Sequence, residues 1–196
     1  MSRNRAVTYD LKLGHIRSVA ASLFAANGFS RTSMAELARE CGVSKALLYH
    51  YFTSKEALLF DILEAYLENL QAALPTNPAD SDNARAHLRG LIHSLLVEYR
   101  QADNTHKLLL HDQDVLPEEQ QQILRQMEKA IVRHFSDALE NAAAAAGHPT
   151  PPNGPRAMML LGILNWTYTW FRDDGALSLN EYCDLICDST IASLAV

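Results

Sequence analysis

Cysteine is scarce in this chain of 196 residues: Cys41, Cys183 and Cys187 are all it has. Three thiols make no disulfide framework. Cys183 and Cys187 lie four apart on an expected helix, where small packing residues are the reading adopted over a redox or metal pair. No apolar run reaches the roughly 18 residues that a membrane span needs. The opening MSRNRAVTYDLK is polar and has no apolar core of a signal peptide, so the expected location is cytoplasmic. Alternating strand patterns and internal repeats are absent, and low complexity is confined to the alanine run 142–146. There is no nucleophile elbow, phosphate loop or dinucleotide fingerprint, so no catalytic residue, no enzyme activity and no cofactor is expected. HExxH and paired CxxC motifs are also missing. His106, His111, Asp112 and Asp114 are too weakly spaced to make a metal site, and none is expected. Asp173 and Asp174 read as turn chemistry.

Positive charge is in deficit overall, with a net charge of −6. That argues against a general nucleic-acid binder, yet the distribution reverses the argument. Residues 1–55 hold eight cations against three acids, a local charge of +5 that leaves −11 for the remainder. A basic head on an acidic body confines attraction for phosphates to one end. The hydrophobic fraction of 48% is that of a globular protein, and the length allows one or two small domains.

The stretch SMAELARECGVSKALLYHYFTSK, 33–55, reads as two short helices joined by a tight turn. Ser33 and Glu36 form a capping box, and Met34, Leu37 and Ala38 make an apolar stripe. Gly42 sits where the first helix must stop in a left-handed conformation, and Ser44 caps the second. Leu48 and Phe52 share the inward face of that second helix. Lys45 with Tyr49, and Ala46 with His50, form the outward rows, a combination suited to phosphates and base edges. Thr53 and Glu56 suggest a further capping box, with Lys55 beside a helix amino end open to phosphate.

The run GFSRTSMAELARECGVSKALLYHYFTSKEALL, Gly28 to Leu59, resembles the DNA-binding domain of TetR-type transcriptional repressors. One departure is Leu47, where that family often carries threonine or serine, so no hydroxyl contact is implied there. The resemblance implies an all-α fold: an amino-terminal three-helix helix-turn-helix domain over 1–55, and a helical ligand-binding and dimerisation domain over 56–196. It also implies a double-stranded, near-palindromic DNA operator as partner. Thr32, Ser33, Ser44, Lys45, Ala46, Tyr49, His50 and Lys55 are the expected DNA-binding residues.

The remaining segments read helical. The first helix is expected over about 10–27, preceded by an arm with Arg3 and Arg5 that is either a minor-groove reader or a solubilising tail. Helices follow over about 54–74, 83–102, 104–112, Pro117 to the alanine run, 156–173 and 178–194. Loops are expected over 75–82 and 147–155. The segment AMMLLGILNWTYTWF is apolar nearly all round, which implies burial on both sides. The economical answer is a homodimer through the last two helices, with Trp170, Tyr182 and Ile186 at its interface. A repressor also needs an input. Tyr66, Leu70, Tyr99, Leu109, Met127, Met159, Ile163, Trp166 and Thr167 are the expected pocket for a small-molecule effector. The tail GILNWTYTWFRDDGALSLNEY and the segment LLLHDQDVLPEEQQQI resemble a TetR subgroup that responds to acyl-CoA thioesters in fatty-acid or aromatic-acid catabolism. Arg100, Lys107, Arg125 and Arg133 are the candidate cations for the phosphates of such a ligand. The alternative is a drug- or antibiotic-responsive repressor of an efflux pump.

Overall fold

Where the helices begin and end follows from a few short-range bonds. The computed structural model describes residues 2–76, 84–148 and 153–194, with side chains from Leu11 onward other than that of Asn153. Among these residues there are nine α-helices and no strand: α1 (Ser2–Asn27), α2 (Met34–Glu40), α3 (Lys45–Tyr51), α4 (Lys55–Ala73), α5 (Ala84–Gln101), α6 (Asp103–His111), α7 (Glu118–Ala145), α8 (Asn153–Trp166) and α9 (Leu179–Ser193).

Gly42 stops α2 at a φ of +65°. Its N–H donates to the Arg39 carbonyl and that of Val43 to the Ala38 carbonyl, the paired bonds of a Schellman turn. An L side chain at that φ would be strained, so the glycine is required by the backbone. Ser33 and Ser44 cap α2 and α3 by accepting from the N–H groups of Glu36 and Leu47. The reciprocal half of the first box does not form: the Glu36 carboxylate takes a hydrogen bond from Asn27 Nδ2 instead. The box expected at Thr53 also moves by one residue. Ser54 is the cap of α4, accepting from the Ala57 N–H at 3.1 Å. At α9 the expected box is complete, with Ser178 and Glu181 bonded in both directions.

Three boundaries differ from expectation. α1 begins at Ser2, so Arg3 and Arg5 lie on helical backbone and not on an irregular arm. α8 begins at Asn153, with Pro155 in its first turn, where proline's missing N–H removes no helical bond. It ends at Trp166, and a short 3-10 turn covers Thr167–Thr169. Residues 77–82 of one expected loop and 149–152 of the other lie outside the described residues.

By its contacts the chain falls into two compact units. One compact unit joins the residues up to Leu67 with Ala102–Leu124, and the other joins Glu68–Gln101 with Arg125 onward. In the first unit, Ile16, Ala20 and Phe24 of α1, Leu37 of α2, Leu48 of α3 and Leu58, Leu59 and Leu63 of α4 are buried. Arg17 grips Asp61 with two bonds of 2.7 and 2.8 Å, fixing α1 to α4. Tyr66 on α4 meets His106 on α6, its hydroxyl 3.2 Å from Nδ1.

In the second unit α5 packs on α9. Arg85 and Arg89, one turn apart, face Asp184 and Asp188, also one turn apart, with bonds of 2.5 to 3.1 Å. Beneath this ladder Cys183 and Cys187 are fully buried, and burial pushes the Cys183 thiol up to about 11. Thiols so held are packing groups.

Candidate nucleic-acid interface

The outward face of α3 is built by the two caps and one core residue. Leu48 anchors the helix in the first unit's interior, and this fixes its rotation. Lys45, Ala46, Tyr49 and His50 are then all exposed, as is Ser44 at the helix start. Lys45 Nζ lies 5.9 Å from the centre of the Tyr49 ring, so cation and aromatic form one continuous polar surface. This face has no acidic residue. Charged donors, a phenol, an imidazole and a methyl group on a helix that projects from its support are what major-groove reading requires.

Not every expected contact residue reaches that surface. Ser33 is exposed, but its hydroxyl oxygen accepts the cap bond of α2, as that of Ser44 does for α3. Thr32 is 1% exposed, and its hydroxyl donates to the Gly28 carbonyl. It holds the α1–α2 turn and does not face solvent. Lys55 is half-buried, with Nζ bonded to the carbonyls of Phe29 and Thr32 at 2.7 and 2.9 Å. Its Nζ also lies over the Phe29 ring, 4.3 Å from the centre.

Two residues went unnoticed in the sequence. Lys12 and His15, exposed on α1, line a groove of about 460 Å³ beside the start of α3, together with Leu11, Cys41, Gly42, Val43, Ser44 and Leu47. Their spacing of three on a helix places them on one face, but nothing local to α1 indicates that this face adjoins α3.

The other expected residues separate by burial. Tyr66 and Leu109 are buried in the first unit, and Leu70, Tyr99 and Thr167 in the second, where Met127 is half-buried. Tyr99 donates to Asn165 Oδ1 at 2.8 Å. Burial, with the nearby Glu128, drives its phenol well above the usual range. Met159, Ile163 and Trp166 line no interior: they are 69%, 48% and 65% exposed, on the outer face of α8. Tyr182 and Ile186 are the reverse case. Expected to be presented to a partner, they are buried within their own protomer, and Leu185 is the outward residue of α9 at 52% exposure. Tyr182 stacks on Phe171 and meets the half-exposed Trp170 edge-on at 5.1 Å. Among the described residues no three His, Cys, Asp or Glu side chains gather as metal ligands, and no helix is long and apolar enough to cross a membrane.

Residues 16–62 match the family described as bacterial regulatory proteins, tetR family, and residues 81–194 match the tetracyclin repressor-like C-terminal domain. The chain belongs to the TetR family. It is a DNA-binding transcriptional regulator and not an enzyme, of a kind that dimerises and takes small-molecule effectors. It is 24% identical over 179 residues to the HTH-type transcriptional repressor KstR2 of Rhodococcus jostii, covering 87% of this chain and 86% of that one. It is 32% identical over 91 residues to the transcriptional regulator MftR of Mycobacterium tuberculosis, where the match covers 46% of this chain and only 43% of that one. Among solved structures it is similar to AibR in complex with isovaleryl coenzyme A and operator DNA. The TM-score is 0.73 at 26% identity, covering 93% of this chain and 97% of that one. The outward face of α3 thus lies in the amino-terminal match of a TetR-family regulator.

Proposed function

We propose that this TetR-family regulator represses as a homodimer on a near-palindromic operator. An acyl-CoA or aryl-CoA thioester binding its helical body releases it, in fatty-acid or aromatic-acid catabolism. The observation that carries the effector class is the likeness to AibR over nearly the whole chain, since AibR was crystallised with a CoA thioester and operator DNA. The reading of DNA is supported by the exposed rows Lys45–Tyr49 and Ala46–His50 on a helix whose rotation Leu48 fixes.

The homodimer is supported by the outer face of α8 and α9. Met159, Ile163 and Trp166 form one stripe at helical spacing, flanked by Met158, Trp170 and Leu185, all exposed in the protomer. Between the two helices runs a groove of about 330 Å³ lined by Leu160, Ile163, Leu185 and Ile186, among others. A contiguous apolar face of this kind marks an interface, and a two-fold four-helix bundle covers it with its own copy.

The effector acts only by binding the DNA-incompetent arrangement more tightly than the competent one. Of the four cations considered for its phosphates, Arg100 is tied to Asp173 and lies over the Phe171 ring, and Lys107 is tied to Asp103. All four, Arg100, Lys107, Arg125 and Arg133, are to be substituted one at a time. The test is release of the protein from DNA by a panel of acyl- and aryl-CoA thioesters, with free CoA and the free acids as controls. Release by a thioester alone is the expected result. Release only by cationic or lipophilic drugs overturns it and turns the reading to an efflux regulator.

A further inference from the structure

We propose that Lys55 is a positioning residue of the DNA-reading head: its ammonium holds the α1–α2 turn in the shape that sets α2 and α3, and it does so in place of a phosphate contact. This rests on operator binding and not on the effector class, so the two fail separately.

The turn from Asn27 to Thr32 leaves a series of carbonyls that no helix satisfies. Side chains take them. Arg31 Nε donates to the Asn27 carbonyl at 2.6 Å, and Thr32 Oγ1 to that of Gly28 at 3.0 Å. Lys55 Nζ donates to Phe29 at 2.7 Å and Thr32 at 2.9 Å, with a longer bond to Ser30 at 3.4 Å. An ammonium has three protons, and here each is directed at a carbonyl, so none is left for a phosphate. The charge is also well placed, because carbonyls just past a helix's carboxyl end carry partial negative charge. Nζ sits 4.3 Å from the centre of the Phe29 ring, which itself packs on Phe24 at 5.1 Å. Lys55 therefore covers one side of a core aromatic while bonding the backbone at that residue and just after it.

What this sets is the start of α2. Thr32 immediately precedes Ser33, the cap of α2, and α2 packs on α3 through the turn at Gly42. A shift of the 29–32 backbone moves the cap, and through α2 it tilts the face carrying Lys45 and Tyr49. Because Lys55 opens α4, displacement at that end of α4 is pulled into the turn by bonds and not only by packing.

The test uses the full-length protein and a duplex that the unaltered protein selects from a random-sequence pool, titrated over a range of salt concentrations. Lys55→Met keeps the stem and removes the donors. It is expected to bind roughly tenfold more weakly, the scale of a lost charge-assisted bond, with an unchanged slope of log affinity against log salt. Lys55→Arg, which keeps a cation and several donors, is expected to recover most of the affinity. Thr32→Val, which withdraws the other side-chain donor from the turn, is expected to weaken binding with the same unchanged slope. A slope flatter by about 0.9 per protomer, about 1.8 for a dimer on its operator, for Lys55→Met identifies a lost phosphate contact and overturns the proposal. So does unchanged affinity, or a lower melting temperature with full affinity in the folded protein. Should Lys55→Met fail to fold, Lys55→Arg and Thr32→Val carry the same two readouts.

Discussion

Helices α3 and α8 each bury one face and expose the other, and their exposed faces are chemical opposites. On α3 the buried anchor is Leu48, and outside stand Lys45, Ala46, Tyr49 and His50. On α8 the buried stripe is Ala157, Leu160, Leu161 and Leu164, and outside stand Met158, Met159, Ile163 and Trp166. A hydrated, cationic face costs nothing to leave open and suits a charged, hydrated partner such as DNA. An apolar face is unfavourable in water and is stable only when something apolar covers it. Equal exposure in the two helices thus points to two different kinds of partner, and the side-chain chemistry decides which.

The largest test of this contrast removes the anchors. Leu48→Ala and Leu164→Ala each empty a fully buried site, and each should cost about 2–5 kcal/mol in chemical denaturation. The difference lies in how function is lost. Leu48→Ala should abolish DNA binding while the protein stays dimeric, and Leu164→Ala should lose both. Equal loss of dimer in the two variants breaks the contrast. Next in size, Ile163→Asp places a charge in the apolar stripe and should weaken the dimer by about 2–4 kcal/mol, as for an interface hot spot. Sedimentation of a native-like dimer would remove α8 from the interface. Third, Lys45→Ala with Tyr49→Phe should cost operator binding about 1–3 kcal/mol per lost base contact. Oligomeric state and melting temperature should not change.

The smallest effect separates the regions by pH. His87, buried on α5 in the second unit, is held below its ordinary pKa by burial and by the nearby His134. The folded state therefore resists the proton that the unfolded chain accepts near pH 6.5. Stability contributed by neutral His87 is present above that pH and is lost as the pH falls through it. A melting temperature that declines on acidification through pH 6.5, and declines less in His87→Gln, is the expected result. An identical decline in both proteins would assign the effect elsewhere.

Much of the reading head was legible in the sequence because its signals are short-ranged. The caps at Ser33 and Ser44, the stop at Gly42 and the opposition of Leu48 to Lys45 and Tyr49 all act within one turn of helix or across one tight turn. Where two capping groups stood side by side, as at Thr53 and Ser54, sequence pattern chose the wrong one; the difference is one residue of phase. The second unit was less legible for a related reason. An apolar stripe shows that a face avoids water, but a pocket, a core and a subunit interface all satisfy that demand equally. Met159, Ile163 and Trp166, expected in a pocket, are exposed in the protomer, while Tyr182 and Ile186, expected at the dimer interface, are mostly covered in it and line the groove between α8 and α9.

The sequence by itself determined an all-helical chain with a basic amino-terminal head, the two short helices of the reader and the rows of side chains that α3 presents. Capping bonds and helical periodicity act over four residues or fewer, so they survive any arrangement of the rest of the chain. The destinations of long side chains were decided only by the tertiary structure. Lys55 is separated from Phe29 by 26 residues, and Arg85 from Asp188 by 103. A lysine beside a helix amino end reads equally as a phosphate ligand or as a clasp. Only the packing that brings the Phe29 and Thr32 carbonyls within 3 Å of its ammonium makes it the clasp.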